Sequence, residues 1–152
     1  MTLALTFVMA GLLAAPASPL TDADRAALVT ELQASQQAVV DTVKGLSPEQ
    51  LAFKPGPDRW SVAECLEHIA ATEPMLFGMI EGKVMKSPAA SEADRQRTTG
   101  KDDAVMQMVT NRTTKFQAPA EIRPTGRWAG RDALLKALDD SRAKTIEYAK
   151  TT

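Results

Sequence analysis

The sequence predicts an all-α fold, most simply an antiparallel bundle of the four-helix type, with about three long helices present in this chain. Three observations predict it. Apolar residues recur at spacings of three, four and seven in separate stretches, the period of a helix face packed on a core. No segment alternates apolar and polar residues as a half-buried strand would. Prolines and glycines gather between the periodic stretches, where they punctuate helices. With helices alone to pack, helix on helix is the remaining layer architecture.

Thr21 opens the first helix, with Asp22 and Asp24 in its first turn, where carboxylates suit the positive end of the helix dipole. Leu28, Leu32, Val39, Val43 and Leu46 line one face, and Gly45 supplies a left-handed stop. Ser47-Pro48-Glu49-Gln50 is a second start: Ser47 caps, Pro48 fits the first helical position and Gln50 completes a capping box. Leu46 and Leu51 are spaced for a hydrophobic staple across that cap. Phe53 to Arg59 holds two prolines and a glycine and is a loop.

Ser61 and Glu64 form another capping box at the start of the next helix. Val62, Cys65, Leu66, Ile69, Leu76 and Ile80 make its apolar stripe. Pro74 predicts a kink or restart near Thr72 and Glu73, turning Glu73 off the stripe towards solvent. Lys83 to Lys101 is a polar connection with room for a short helix near Ser91 to Gln96. Asp102 to Phe116 carries a further helical pattern, with Ala104, Val105, Met108 and Val109 apolar. Ala118 to Gly126 is looped by its prolines. In the last helix, Arg131 to Lys150, the repeating positions are Leu134, Leu135, Leu138, Arg142, Ile146 and Ala149. No stop signal closes it before Thr152, so the domain over residues 18–152 is expected to be C-terminally incomplete.

Composition narrows the function. The 152 residues carry 18 Lys and Arg against 19 Asp and Glu, and 44% are hydrophobic, which suits one globular domain. That balance offers no basic stripe, so nucleic acid is excluded as a partner. One cysteine excludes a disulfide framework and a multi-cysteine zinc site. One histidine means that this chain alone cannot build a site of two or three histidines. Residues 1–21 bear no charge, and Leu3 to Ala15 is almost wholly apolar, shorter than the roughly 20 residues a bilayer span needs. Ala15-Pro16-Ala17-Ser18 fits a signal-peptidase site. Residues 1–17 are therefore expected to be a signal peptide cleaved after Ala17, making the protein secreted or periplasmic. Uncleaved, it is cytoplasmic, and either way no stable membrane span is expected.

His68 is the main chemical candidate. It lies at the edge of the stripe in line with Glu64, Thr72 and Met75. There it is either a metal ligand pointing into the bundle or a boundary histidine bonded to a neighbouring helix. Cys65, three residues earlier, sits inside the stripe and is expected to be buried and quiet rather than a thiolate. Trp60 and Trp128, each following an arginine after a loop, are expected to plug the bundle ends with their indole N–H groups bonded to loop carbonyls. Arg142, within a leucine stripe, either binds a carboxylate or another anion inside the bundle or snorkels to water. Asn111-Arg112-Thr113 fits the glycosylation pattern but falls on an expected helix.

The stretch Leu46-Ser47-Pro48-Glu49-Gln50-Leu51, then Pro55 to Ala70 with Trp60-Ser61 followed by His68, resembles the DinB-like superfamily of small four-helix bundles. Trp128 and the helix carrying Arg131 to Arg142 resemble its third-helix region. The resemblance covers roughly residues 21 to 152. It implies that His68 is one of three histidines holding a divalent metal, zinc or nickel, the other two lying in an H-x-x-x-H on a fourth helix. It also implies a metal-dependent thiol S-transferase or hydrolase acting on a small molecule, such as a low-molecular-weight thiol. This chain has neither further histidine, so it is expected to bind no metal tightly by itself. The alternative is a non-catalytic, metal-free bundle used for small-molecule binding or for self-association as a homodimer.

Overall fold

The computed structural model describes residues 20–111, 113 and 116–152. The expected signal peptide and its cleavage point after Ala17 lie outside the described residues. Among those described, every regular element is helical. The order is α1 (Asp22–Val43), α2 (Pro48–Ala52), α3 (Val62–Met79) running into a π-turn (Ile80–Val84), α4 (Glu92–Thr98), α5 (Asp102–Thr110), a 3-10 turn (Ala120–Ile122) and α6 (Gly130–Thr151).

Four helices begin with reciprocal caps. Thr21 with Asp24, Ser47 with Gln50, Ser61 with Glu64 and Ser91 with Asp94 each exchange two hydrogen bonds, side chain to backbone in both directions. Each pair satisfies two N–H groups that a helix start leaves without a partner. After α1, Gly45 takes φ +83°, the left-handed geometry that turns the chain away from the helix axis. These local devices fix where the helices start and stop, and packing then decides how they meet.

α6 packs against both α3 and α1, and α2 braces α3 and α6 from one end. The core is small. It consists of Val43 from α1, Leu51 from α2, Leu66 and Ala70 from α3, and Leu134 and Leu138 from α6. Leu138 is 0% exposed, and burying such a side chain contributes about 2 kcal/mol. Val39, Leu46, Val62, Trp128 and Leu135 pack around this nucleus. The staple residues Leu46 and Leu51 thus end on the same core.

Several expectations are corrected. Of the kink or restart expected at Pro74, the restart does not occur: α3 is continuous from Val62 to Met79, with Pro74 inside it. Proline withholds one backbone bond, to the Ala70 carbonyl. Glu73 does not turn to solvent: it is paired with Arg142. The helix expected over Asp102 to Phe116 ends at Thr110, so Asn111 stands just past it and is exposed. The apolar positions of α5 do not reach the core, and Met108 is 63% exposed. Cys65 is exposed rather than buried, as are Leu28, Ile69, Leu76 and Ile80 from the same apolar stripes. Periodicity identified these faces correctly as apolar, but no described element lies over them.

Candidate functional site

The site is built around the second turn of α3. Ser61 is buried, and its capping box with Glu64 sets the helix start. Lys54 Nζ, from the preceding loop, donates to Glu64 Oε1 at 2.9 Å and ties that loop to the cap. The Lys54 hydrogen bond, first, and the Ser61 N–H, second, hold the Glu64 carboxyl below its ordinary range. With the start fixed, Glu67 and His68 follow side by side on the helix, one turn beyond Glu64.

Both reach the same loop, the one leading into α6. His68 Nδ1 donates to the Ile122 carbonyl at 2.9 Å. A carbonyl only accepts, so Nδ1 carries a proton, and the tautomer that fits this bond has its lone pair on Nε2. Ile122 is itself buried, which anchors that carbonyl. The Trp60 ring leans against the imidazole, with centroids 5.0 Å apart and planes at 56°.

Glu67 is 4% exposed, and its carboxylate receives three successive backbone N–H groups. Thr125 N donates to Oε1 at 2.8 Å, Gly126 N to Oε2 at 2.9 Å and Arg127 N to Oε1 at 3.2 Å. Gly126 has φ +79°, which allows consecutive N–H groups to converge on one anion. The Arg127 guanidinium lies 3.8 Å from Oε1 and donates to the Glu121 carbonyl at 2.6 Å. Burial pushes the Glu67 carboxyl up, but the loop N–H groups and Arg127 outweigh it and hold the group below its ordinary range.

Beside His68 a cleft of about 360 Å³ opens between α1, α3 and α6. Leu32, His68, Ile69, Thr72 and Leu76 line it, with Glu73 and Arg142 at its side. Arg142 is buried, and its Nε donates to both Glu73 oxygens at 2.7 and 3.0 Å. Its Nη1 donates to Ser35 Oγ at 2.8 Å and to the Leu32 carbonyl. Of the two readings of Arg142, carboxylate binding inside the bundle is the one observed, and the carboxylate is the protein's own.

The structure brings His68, Trp60 and Arg142 towards one region and leaves Cys65 out. No hydrogen bond joins Cys65 to His68 among the described residues. The Cys65 thiol is pushed up by desolvation first and by the Glu64 charge second, so it stays protonated near neutral pH. Trp128 packs on the core as a plug, whereas Trp60 remains partly exposed against the histidine. Neither indole N–H finds a carbonyl among the described residues.

Glu67 was not anticipated as a site residue. The available signal was a charged residue next to Leu66 and one turn before Ala70, on the face that packs inward.

Among the described residues, no group of three or more His, Cys, Asp or Glu side chains converges to hold a metal. One ring nitrogen of His68 is held by the Ile122 carbonyl, which fixes how the imidazole is turned. Chemically, the arrangement offers one oriented imidazole beside a largely apolar cleft.

Comparison with known proteins agrees with the helical frame. The sequence pattern of the DinB superfamily matches residues 31–152. The uncharacterized protein YuaE of Bacillus subtilis (strain 168) is 24% identical over 97 residues, covering 64% of this chain and 54% of that protein. The chain thus spans about half the length of the curated relative it matches. No solved structure matches it.

Proposed function

The chain belongs to the DinB superfamily, and from that membership we propose that His68 is one ligand of a divalent metal in the whole protein. Zinc or nickel suits a neutral imidazole. The proposed activity is a metal-dependent thiol S-transfer or hydrolysis on a small molecule, a low-molecular-weight thiol being the first candidate. A bound divalent metal supplies Lewis acidity that lowers the pKa of a thiol or water. This chain contributes the oriented imidazole and the apolar wall of the cleft, and the remaining ligands are not among its described residues.

The observation that carries the reading is the Nδ1 to Ile122 carbonyl bond at 2.9 Å. It places the proton on one nitrogen and leaves Nε2 as the donor atom. A boundary histidine could make the same bond, so metal titration is the test. Calorimetry of this chain with zinc or nickel is expected to show affinity weaker than micromolar, abolished by His68→Ala. Binding that survives His68→Ala overturns the ligand assignment. Sub-micromolar binding by this chain overturns the view that the other ligands lie elsewhere. In the whole protein, stoichiometric metal is expected to be lost on His68→Ala. Should that metal persist, a metal-free bundle that binds small molecules is the reading that remains.

A further inference from the structure

Glu67 and His68 are consecutive on α3, and each holds a different part of one loop. Glu67 takes the N–H groups of Thr125, Gly126 and Arg127, while His68 takes the carbonyl of Ile122. Arg127 closes the ring from the loop side, since its guanidinium reaches both Glu67 and the Glu121 carbonyl next to Ile122. The path from the carboxylate to the imidazole is therefore short: Glu67, Arg127, the Glu121 carbonyl, the adjoining Ile122 carbonyl, His68. We propose that Glu67 is a positioning residue that fixes the tautomer and orientation of His68 by clamping this loop against α3.

The physical argument is one of competition. An imidazole in water prefers its proton on Nε2, and that form would present no lone pair there. Only a fixed acceptor at Nδ1 reverses the preference. The acceptor here is a main-chain oxygen in a loop whose regular structure is a single 3-10 turn, Ala120–Ile122. A loop of that kind holds a carbonyl still only if something else fastens it. The burial of Ile122 fastens one point, and the Glu67 carboxylate fastens three backbone groups a few residues on. Bonds between a carboxylate and backbone N–H groups are charge-assisted and stronger than neutral ones, so this clamp outlasts the single histidine bond it supports.

The inference deepens the ligand reading of His68 and rests on it for its purpose, but its test needs no metal. His68 is the only histidine in the chain, so its ring nitrogens give one unambiguous set of signals in long-range proton–nitrogen NMR. In the metal-free chain, above the pH range of imidazole titration, the Nδ1–H form is expected to dominate. Glu67→Gln keeps the side-chain shape but brings an amide donor against the loop N–H groups. It is expected to move the population to a majority of the Nε2–H form. Gly126→Ala is expected to move it the same way, since the new Cβ meets no atom within 4 Å and only the backbone geometry is disturbed. Glu64→Gln disturbs the cap of the same helix without touching the loop, and the Nδ1–H form is expected to persist in it. A wild-type ring already in the Nε2–H form overturns the proposal. So does a Glu67→Gln ring that keeps the Nδ1–H form, or an equal shift in Glu64→Gln. The zinc titration then stands or falls separately, because it reads the ligand and not the tautomer.

Discussion

Along α3, the side bearing Leu66, Glu67 and Ala70 is closed by α6 and by the loop before it, and all three residues are buried. The side bearing Cys65, Ile69, Leu76 and Ile80 is open, with Leu76 49% exposed. Both sides are rich in apolar groups, so hydrophobicity does not separate them. What separates them is attachment. The closed side carries the Glu67 clamp, whereas on the cleft side the polar attachments are the His68 bond to Ile122 and the pair of Glu73 with Arg142. A half-covered helix is thus secured by a few polar anchors at defined points, with apolar burial concentrated on one flank.

The largest effect expected from breaking this contrast is in the core. Leu138→Ala should cost about 3 kcal/mol, because a fully buried leucine leaves a cavity that its neighbours only partly fill. Leu76→Ala, on the open side, should cost less than ~1 kcal/mol. Urea midpoints of the two variants give the difference directly, and equal losses would mean that the open side is covered in solution. A smaller effect is expected at the loop. Gly126→Ala should cost about 1 kcal/mol, the strain of a left-handed residue with a side chain, measured by the same denaturation.

The smallest expected effect is in acid. The Glu64 carboxyl lies below its ordinary 4.5 when folded, held there chiefly by Lys54. Its stabilisation is therefore complete above 4.5 and is lost as the pH falls through the lower folded value. The pair is partly solvated, so the loss is about 0.5 kcal/mol. Glu64→Gln should flatten that part of the stability curve between neutral and acid pH, and an unchanged curve would remove Glu64 from the account.

Most of the frame was legible because it is written locally. Capping boxes need only residues three apart, and Ser47–Gln50 and Ser61–Glu64 appear as expected. Gly45 is read from its place after an apolar face and takes the left-handed turn. Coverage was not legible. Cys65 and Val105 satisfy the same periodicity as Leu66, and only the position of other elements decides which are buried. Glu73 looked misplaced because its partner, Arg142, lies 69 residues away. The Glu67 clamp escaped for a similar reason, its donors being backbone groups 58 to 60 residues distant that no side-chain pattern records.

Arg142 has a consequence for how this protein can vary. From α6 a single guanidinium engages the Leu32 carbonyl and Ser35 of α1 together with Glu73 of α3. Inserting one residue between these points within any of the three helices would rotate the following residues by about 100° and withdraw at least one partner. Changes of length between homologues should therefore collect in the connection from Met85 to Pro119, while the three long helices keep their spacing.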